Sequence, residues 1–109
     1  MFTRKTKYII ITTTYPNNEA GLDFLVNSLV NEKLAACVQV FPVKSIYTWK
    51  DKKEETEELL LVIKTKKILY KKIEEKIKII HPYEIPQIIT IPINKGYDAY
   101  LKWIEKNTL

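Results

Sequence analysis

At 109 residues, with 46% hydrophobic and 28% charged side chains, the chain has the composition of one globular domain, spanning residues 1–109. No apolar run approaches the roughly 20 residues of a membrane span, and the single cysteine, Cys37, has no partner for an intramolecular disulfide or a cysteine-based zinc centre. The net charge of +5 suggests nucleic acid, but Lys50, Lys52 and Lys53 run directly into Glu54, Glu55, Glu57 and Glu58, the mixed-sign pattern of a solvated surface, and only Arg4 among the 18 basic residues is an arginine.

Residues 1–7 carry the charges of a signal n-region. The apolar block Tyr8–Ile11 that follows is shorter than the roughly 7–15 residues of a secretory h-region, so a strand and a cytoplasmic location are expected. Tyr8–Thr14 is β-branched and aromatic and reads as a strand buried on both faces. Leu22, Leu25, Val26, Leu29 and Val30 then form the apolar stripe of an amphipathic helix, with Asn17 or Asn18 as its N-cap.

Leu34–Trp49 is an extended stretch interrupted by Pro42, which has no N–H to donate and so marks an edge or a bulge. A polar turn at Asp51-Lys52-Lys53 leads into a strand over Glu57–Thr65, whose apolar centre suits an interior position. Leu69, Ile73, Ile77 and Ile80 predict a second helix, ended by His81-Pro82 because the residue before proline is pushed out of the helical region. Ile88–Ile93 is a fourth strand, and Tyr100, Trp103 and Ile104 share one face of a C-terminal helix.

The predicted fold is therefore α+β, a ferredoxin-like β-α-β-β-α-β sandwich with an extended central hairpin and a C-terminal helix. The hairpin arms are about twice the ~5–6-residue modal strand, longer than two helices can cover. Part of the hairpin must project, and an exposed ribbon carrying Tyr47 and Trp49 calls for a partner, so a homo-oligomer is expected.

Little in the sequence supports catalysis. Glycine occurs only twice, at Gly21 and Gly96, too sparsely for a phosphate loop or dinucleotide fingerprint. One histidine and no paired acid leave every serine and threonine without a nucleophile-activating partner. The predicted interior strand Leu59–Thr65 has no aromatic residue on which an RNA base would stack. His81 is the candidate metal ligand, since imidazole suits copper and zinc; Cys37 is a soft second candidate.

Five segments, in order and with compatible spacing, carry a resemblance: Glu32–Cys37, Ser45–Trp49, Glu57 with Leu60–Thr65, His81–Pro86, and Ala99–Ile104. Together they resemble the CutA family, the trimeric divalent-cation tolerance proteins. The resemblance implies a tight homotrimer similar to the PII signalling proteins, without enzymatic activity and with a role in the response to metal ions. It also implies copper binding in some members, through a cysteine at the end of the first strand and a His-His pair at the end of the second helix. Here these positions are Thr13 and Ile80-His81, so only His81 carries over. The trimer it implies places Tyr47, Trp49, Lys64, His81, Tyr83 and Glu84 near an intersubunit cleft, a candidate small-molecule site for a PII-like sensor or scaffold that recruits a further protein. No required cofactor, nucleic acid or membrane is implied.

Overall fold

The computed structural model describes residues 6–17 and 20–109. Four strands, β1 (Tyr8–Pro16), β2 (Cys37–Trp49), β3 (Lys52–Lys66) and β4 (Ile88–Pro92), form one sheet in the order β2-β3-β1-β4. Every neighbouring pair is antiparallel. Helices α1 (Leu22–Asn31) and α2 (Tyr70–Ile80) follow β1 and β3, and α3 (Asp98–Lys106) closes the chain. This is the ferredoxin-like order expected from the sequence.

The side-chain alternation of the strands defines the core. Ile9, Ile11 and Tyr15 of β1 and Leu61 and Ile63 of β3 point to one face of the sheet and pack with Leu25 and Leu29 of α1 and Ile73 and Ile77 of α2. The other face carries Phe41, Ile89 and Ile91, all exposed, and Ile10, only partly buried. So β1 is covered on one face rather than two. Its unbroken run of β-branched residues arises because the second face is also apolar.

Strand β1 ends at the pair Pro16↔Glu58, while β2 and β3 run on together from Lys44↔Glu57 to Trp49↔Lys52. Residues 44–57 therefore form a two-stranded ribbon beyond the sheet, as the strand lengths predicted. The turn is tighter than expected, Lys50-Asp51 alone, with φ of 51° and 67° at those residues. Two successive left-handed residues match the right-handed twist of the flanking strands. As a result β3 starts at Lys52 rather than near Glu57. Pro42 lies within an unbroken β2 at the edge of the sheet, where its missing N–H is tolerated.

The N-terminus of α1 also differs from the expectation. Asn17 makes no cap; Gly21 occupies the cap position with φ of 99° and accepts the Leu25 N–H at 2.9 Å. Asn18 lies outside the described residues. The Tyr15 hydroxyl donates to the Ala20 carbonyl at 2.9 Å and would lie 2.7 Å from any Cβ at position 21, so space and backbone both select glycine there. At the other end of the helical layer, α2 stops at His81, whose ψ of 135° is the extended geometry that Pro82 imposes.

On α3, Ile104 is buried, whereas Tyr100 and Trp103 stack on each other at 5.5 Å and remain partly exposed. The helix is tied to the sheet by Glu105, which binds Lys7 at 3.0 Å and Lys66 at 3.4 Å and accepts the Tyr8 hydroxyl at 3.3 Å. Hydrogen bonding to Lys7 is the main cause that holds the Glu105 carboxyl below its ordinary value.

Candidate ligand cleft

Alternate residues of β2 and β3 place Ser45, Tyr47 and Trp49 on the same face as Glu54, Thr56 and Glu58, with Tyr47 directly opposite Glu54. The loop after α2 comes up against this surface. Together they enclose a cleft of about 810 Å³ whose walls include Tyr47, Trp49, Tyr83, Glu54, Glu58, Glu84 and Gln87.

Its floor is a buried carboxylate. Glu58 is only 4% exposed, and both its oxygens are satisfied: the Ser45 hydroxyl donates to Oε1 at 2.6 Å and the Tyr83 hydroxyl to Oε2 at 2.6 Å. A buried carboxylate is tolerated when hydroxyl donors replace its hydration. Burial, then the hydrogen bond to Glu58 and the proximity of Tyr47, pushes the Tyr83 hydroxyl well above its ordinary value of 10.0. Tyr83 therefore stays protonated and keeps donating.

His81 supports the cleft from behind. Its Nε2 lies 2.6 Å from the Thr14 carbonyl, which can only accept, and its Nδ1 lies 3.0 Å from the Tyr83 backbone N–H, which can only donate. The ring is therefore the neutral tautomer protonated on Nε2. It sits between the rings of Tyr15 and Tyr83, at 5.0 and 4.9 Å.

Of the six residues expected near an intersubunit cleft, Tyr47, Trp49, Tyr83 and Glu84 line this cleft within the single chain, and His81 buttresses it. Lys64 does not reach it. It lies opposite Cys37 near the α3 end of the sheet, with Nζ 5.6 Å from the Tyr100 ring. Six residues separate Lys64 from Glu58 along β3, roughly 20 Å at ~3.3 Å per residue.

The two candidate metal ligands are also kept apart. Cys37 pairs with Lys64 and Thr14 with Leu60, so Cys37 and the His81 anchor are about 13 Å apart along the sheet. His81 has no free lone pair in this arrangement. Among the described residues no group of three or more His, Cys, Asp or Glu side chains could hold a metal ion. Thr13 points into the core, where its hydroxyl has no hydrogen-bond partner.

Glu58 is buried although its sequence context, the run Glu54-Glu55-Thr56-Glu57-Glu58, reads as a solvated surface. The available signal was the period of two: counting back from Val62 and Leu60 puts Glu58, Thr56 and Glu54 on one face, and only Glu58 falls where β1 still covers the strand.

A family model described as CutA1 divalent ion tolerance protein matches residues 9–107. Among curated relatives, the chloroplastic protein CutA of Arabidopsis thaliana is 43% identical over 101 residues, 92% of this chain but 55% of that protein. The divalent-cation tolerance protein CutA of Thermus thermophilus is 39% identical over 100 residues, 91% of this chain and 96% of that one. The chain thus spans about half the length of the plant relative and nearly all of the Thermus one. Among solved structures, CutA1 from Oryza sativa superposes with a TM-score of 0.88 at 39% identity, covering 95% of both chains. The Thermus thermophilus protein superposes with a TM-score of 0.87 at 38% identity, covering 93% of this chain and 98% of that one. With a match over almost its whole length, the chain belongs to the CutA1 divalent ion tolerance protein family.

Proposed function

We propose that the protein is a non-catalytic homotrimer of the divalent-cation tolerance type, acting in the cellular response to metal ions. The observation that carries the assembly is the combination of an apolar open sheet face with the projecting ribbon 44–57, on which Ile46 is 61% exposed and Trp49 36%. Apolar area of this kind in a monomer marks an interface. Native mass spectrometry at micromolar concentration is the test: about three times the 12.9 kDa chain is expected, and a clean monomer would overturn the reading. Among the described residues no helix is long and apolar enough to cross a membrane. The unpaired Cys37 favours a reducing compartment, and we assign the cytoplasm.

Metal contact is weak in this proposal, because binding at His81 must first break its hydrogen bond with the Tyr83 N–H or the Thr14 carbonyl. Copper is expected to bind no tighter than about micromolar, near −8 kcal/mol. Calorimetric titration under a competing chelator checks this; a tighter stoichiometric site that survives His81→Ala would show a ligand set elsewhere.

The cleft favours a second reading, a PII-like small-molecule sensor or scaffold whose trimer engages another protein when the cleft is filled. Aromatic walls and a few convergent polar groups are the features of a small-molecule site. Thermal-shift assays against divalent metals and a metabolite panel separate the readings, since a ligand of the folded state raises the midpoint.

A further inference from the structure

Helix α3 lies on the opposite face of the sheet from α1 and α2. It touches Tyr8, Lys64 and Lys66, which alternate along β1 and β3 with the core-facing Ile9, Ile63 and Thr65. Its anchorage is light. Of its nine residues only Ile104 is buried, and no side chain caps its N-terminus. Nine residues are also fewer than the roughly 12–15 that an isolated helix needs to persist in water, so α3 is helical only while it is docked.

Two clips dock it, one on each side of the sheet. On the open face Glu105 holds Lys7, Lys66 and the Tyr8 hydroxyl. The Lys66 side chain is only 7% exposed, so the seated helix both keeps this cation from water and supplies its counter-charge. Past the helix, Thr108 is buried with its hydroxyl on the Ile104 carbonyl at 2.9 Å. The Leu109 N–H then donates to the Lys33 carbonyl at 2.9 Å, just beyond α1 in the helical layer, and the Leu109 side chain lines the groove that holds Phe24, Leu34 and Ile79.

We infer that α3 and residues 107–109 form a strap that opens as one unit while the core stays folded, uncovering the Lys66 end of the open sheet face. Elements with little buried apolar surface open at free energies far below that of global unfolding. The two clips act together, because freeing Leu109 from Lys33 releases the tail that seats Ile104, and an undocked α3 melts. Both clips lie within one chain and require no neighbouring copy.

Hydrogen–deuterium exchange of the intact protein, read by mass spectrometry, tests this. Peptides over residues 99–109 should be protected roughly a hundredfold less than those over the centres of β1 and β3. Leu109→Pro, lacking the N–H that bonds Lys33, should lower the strap's protection several-fold, and Glu105→Gln about tenfold or more, the scales of a neutral and a charged hydrogen bond. Neither should change the centres of β1 and β3. Brief acetylation with an amine-reactive ester reads the uncovering. Lys66 should react far more slowly than Lys102, whose side chain is 77% exposed, and should accelerate in Leu109→Pro by the same factor as the strap's exchange.

Strap protection equal to that of β1 and β3, or a loss spread evenly over the whole chain in Leu109→Pro, would overturn the inference. So would faster strap exchange with Lys66 labelling unmoved, which would mean a frayed tail beside a seated helix. An unchanged strap in Leu109→Pro would remove the Lys33 clip, and with it the joint opening.

Discussion

The β2–β3 ladder contains two regions built from one continuous pairing but stabilised by different means. At its base, Leu61 and Ile63 lie under α1 and α2 with β1 alongside, and they are completely buried. Past Glu58 the same ladder has no third strand and no helix, and its large side chains face outward. Regular hydrogen bonding is therefore not what makes a strand pair stable. The base is held by apolar burial, whereas the ribbon is held by cross-strand pairs, the Glu58 hydroxyl contacts and whatever covers Tyr47 and Trp49.

The largest expected effect lies at the base. Ile63→Ala, in a fully buried site, should cost about 2–5 kcal/mol in chemical denaturation; a loss no larger than that of a surface substitution would erase the contrast between the two regions. Trp49→Ala tests the ribbon. In the monomer it removes a partly exposed side chain, but in a trimer it removes an anchor, for ~2–4 kcal/mol with smaller species appearing by light scattering. An unchanged midpoint and mass would mean that nothing covers the ribbon.

Between the two regions, Tyr83→Phe removes one of the two hydroxyl donors to Glu58 and should cost ~1–2 kcal/mol at neutral pH. Its sign in alkali is distinctive. Folding raises the Tyr83 value above 10.0, so the folded state retains a proton that the unfolded chain releases. The associated stability is complete below about pH 10 and is lost as the pH rises beyond it. The variant should show a shallower alkaline decline than wild type; parallel curves would remove Tyr83 as its cause.

Two substitutions should stabilise. Thr13→Val replaces the unpartnered core hydroxyl with a methyl group of similar shape, for a gain of ~1 kcal/mol by thermal denaturation. Asp51→Gly relieves a left-handed residue at the ribbon tip, where φ is 67°, and this outweighs the added freedom of the unfolded chain, for a net gain of no more than ~1 kcal/mol. Failure of the second would mean that the tip geometry is imposed by something beyond the turn itself.

The ferredoxin-like order was legible because each element carries its own period: the stripe Leu22–Val30, the stripe Leu69–Ile80 and the β-branched runs. The projecting ribbon followed from strand length alone. Less legible were features set by tertiary register. The Gly21 cap depends on where the Tyr15 hydroxyl lands. Similarly, the burial of Glu58 depends on β1 ending opposite it, and no local window distinguishes it from Glu54 on the same face. His81 stands out in the sequence as the one histidine, but its two hydrogen-bond partners come from β1 and from the loop beyond the helix. A role in support rather than ligation could not be read from one imidazole beside a proline.

The two-residue turn has a kinetic consequence. Once Lys50 and Asp51 take up their left-handed geometry, Trp49 meets Lys52 with almost no chain to close, and each further pair down the ladder closes a loop only slightly longer. By contrast, joining Thr12 to Val62 requires an entire helix and hairpin to be brought round first. The hairpin is expected to form on the microsecond scale typical of such motifs, ahead of the slower search that seats β1 and the helices. The nascent chain would then present its aromatic ribbon to other chains before the core that anchors it is complete, which makes chain concentration during synthesis a determinant of how cleanly this protein matures.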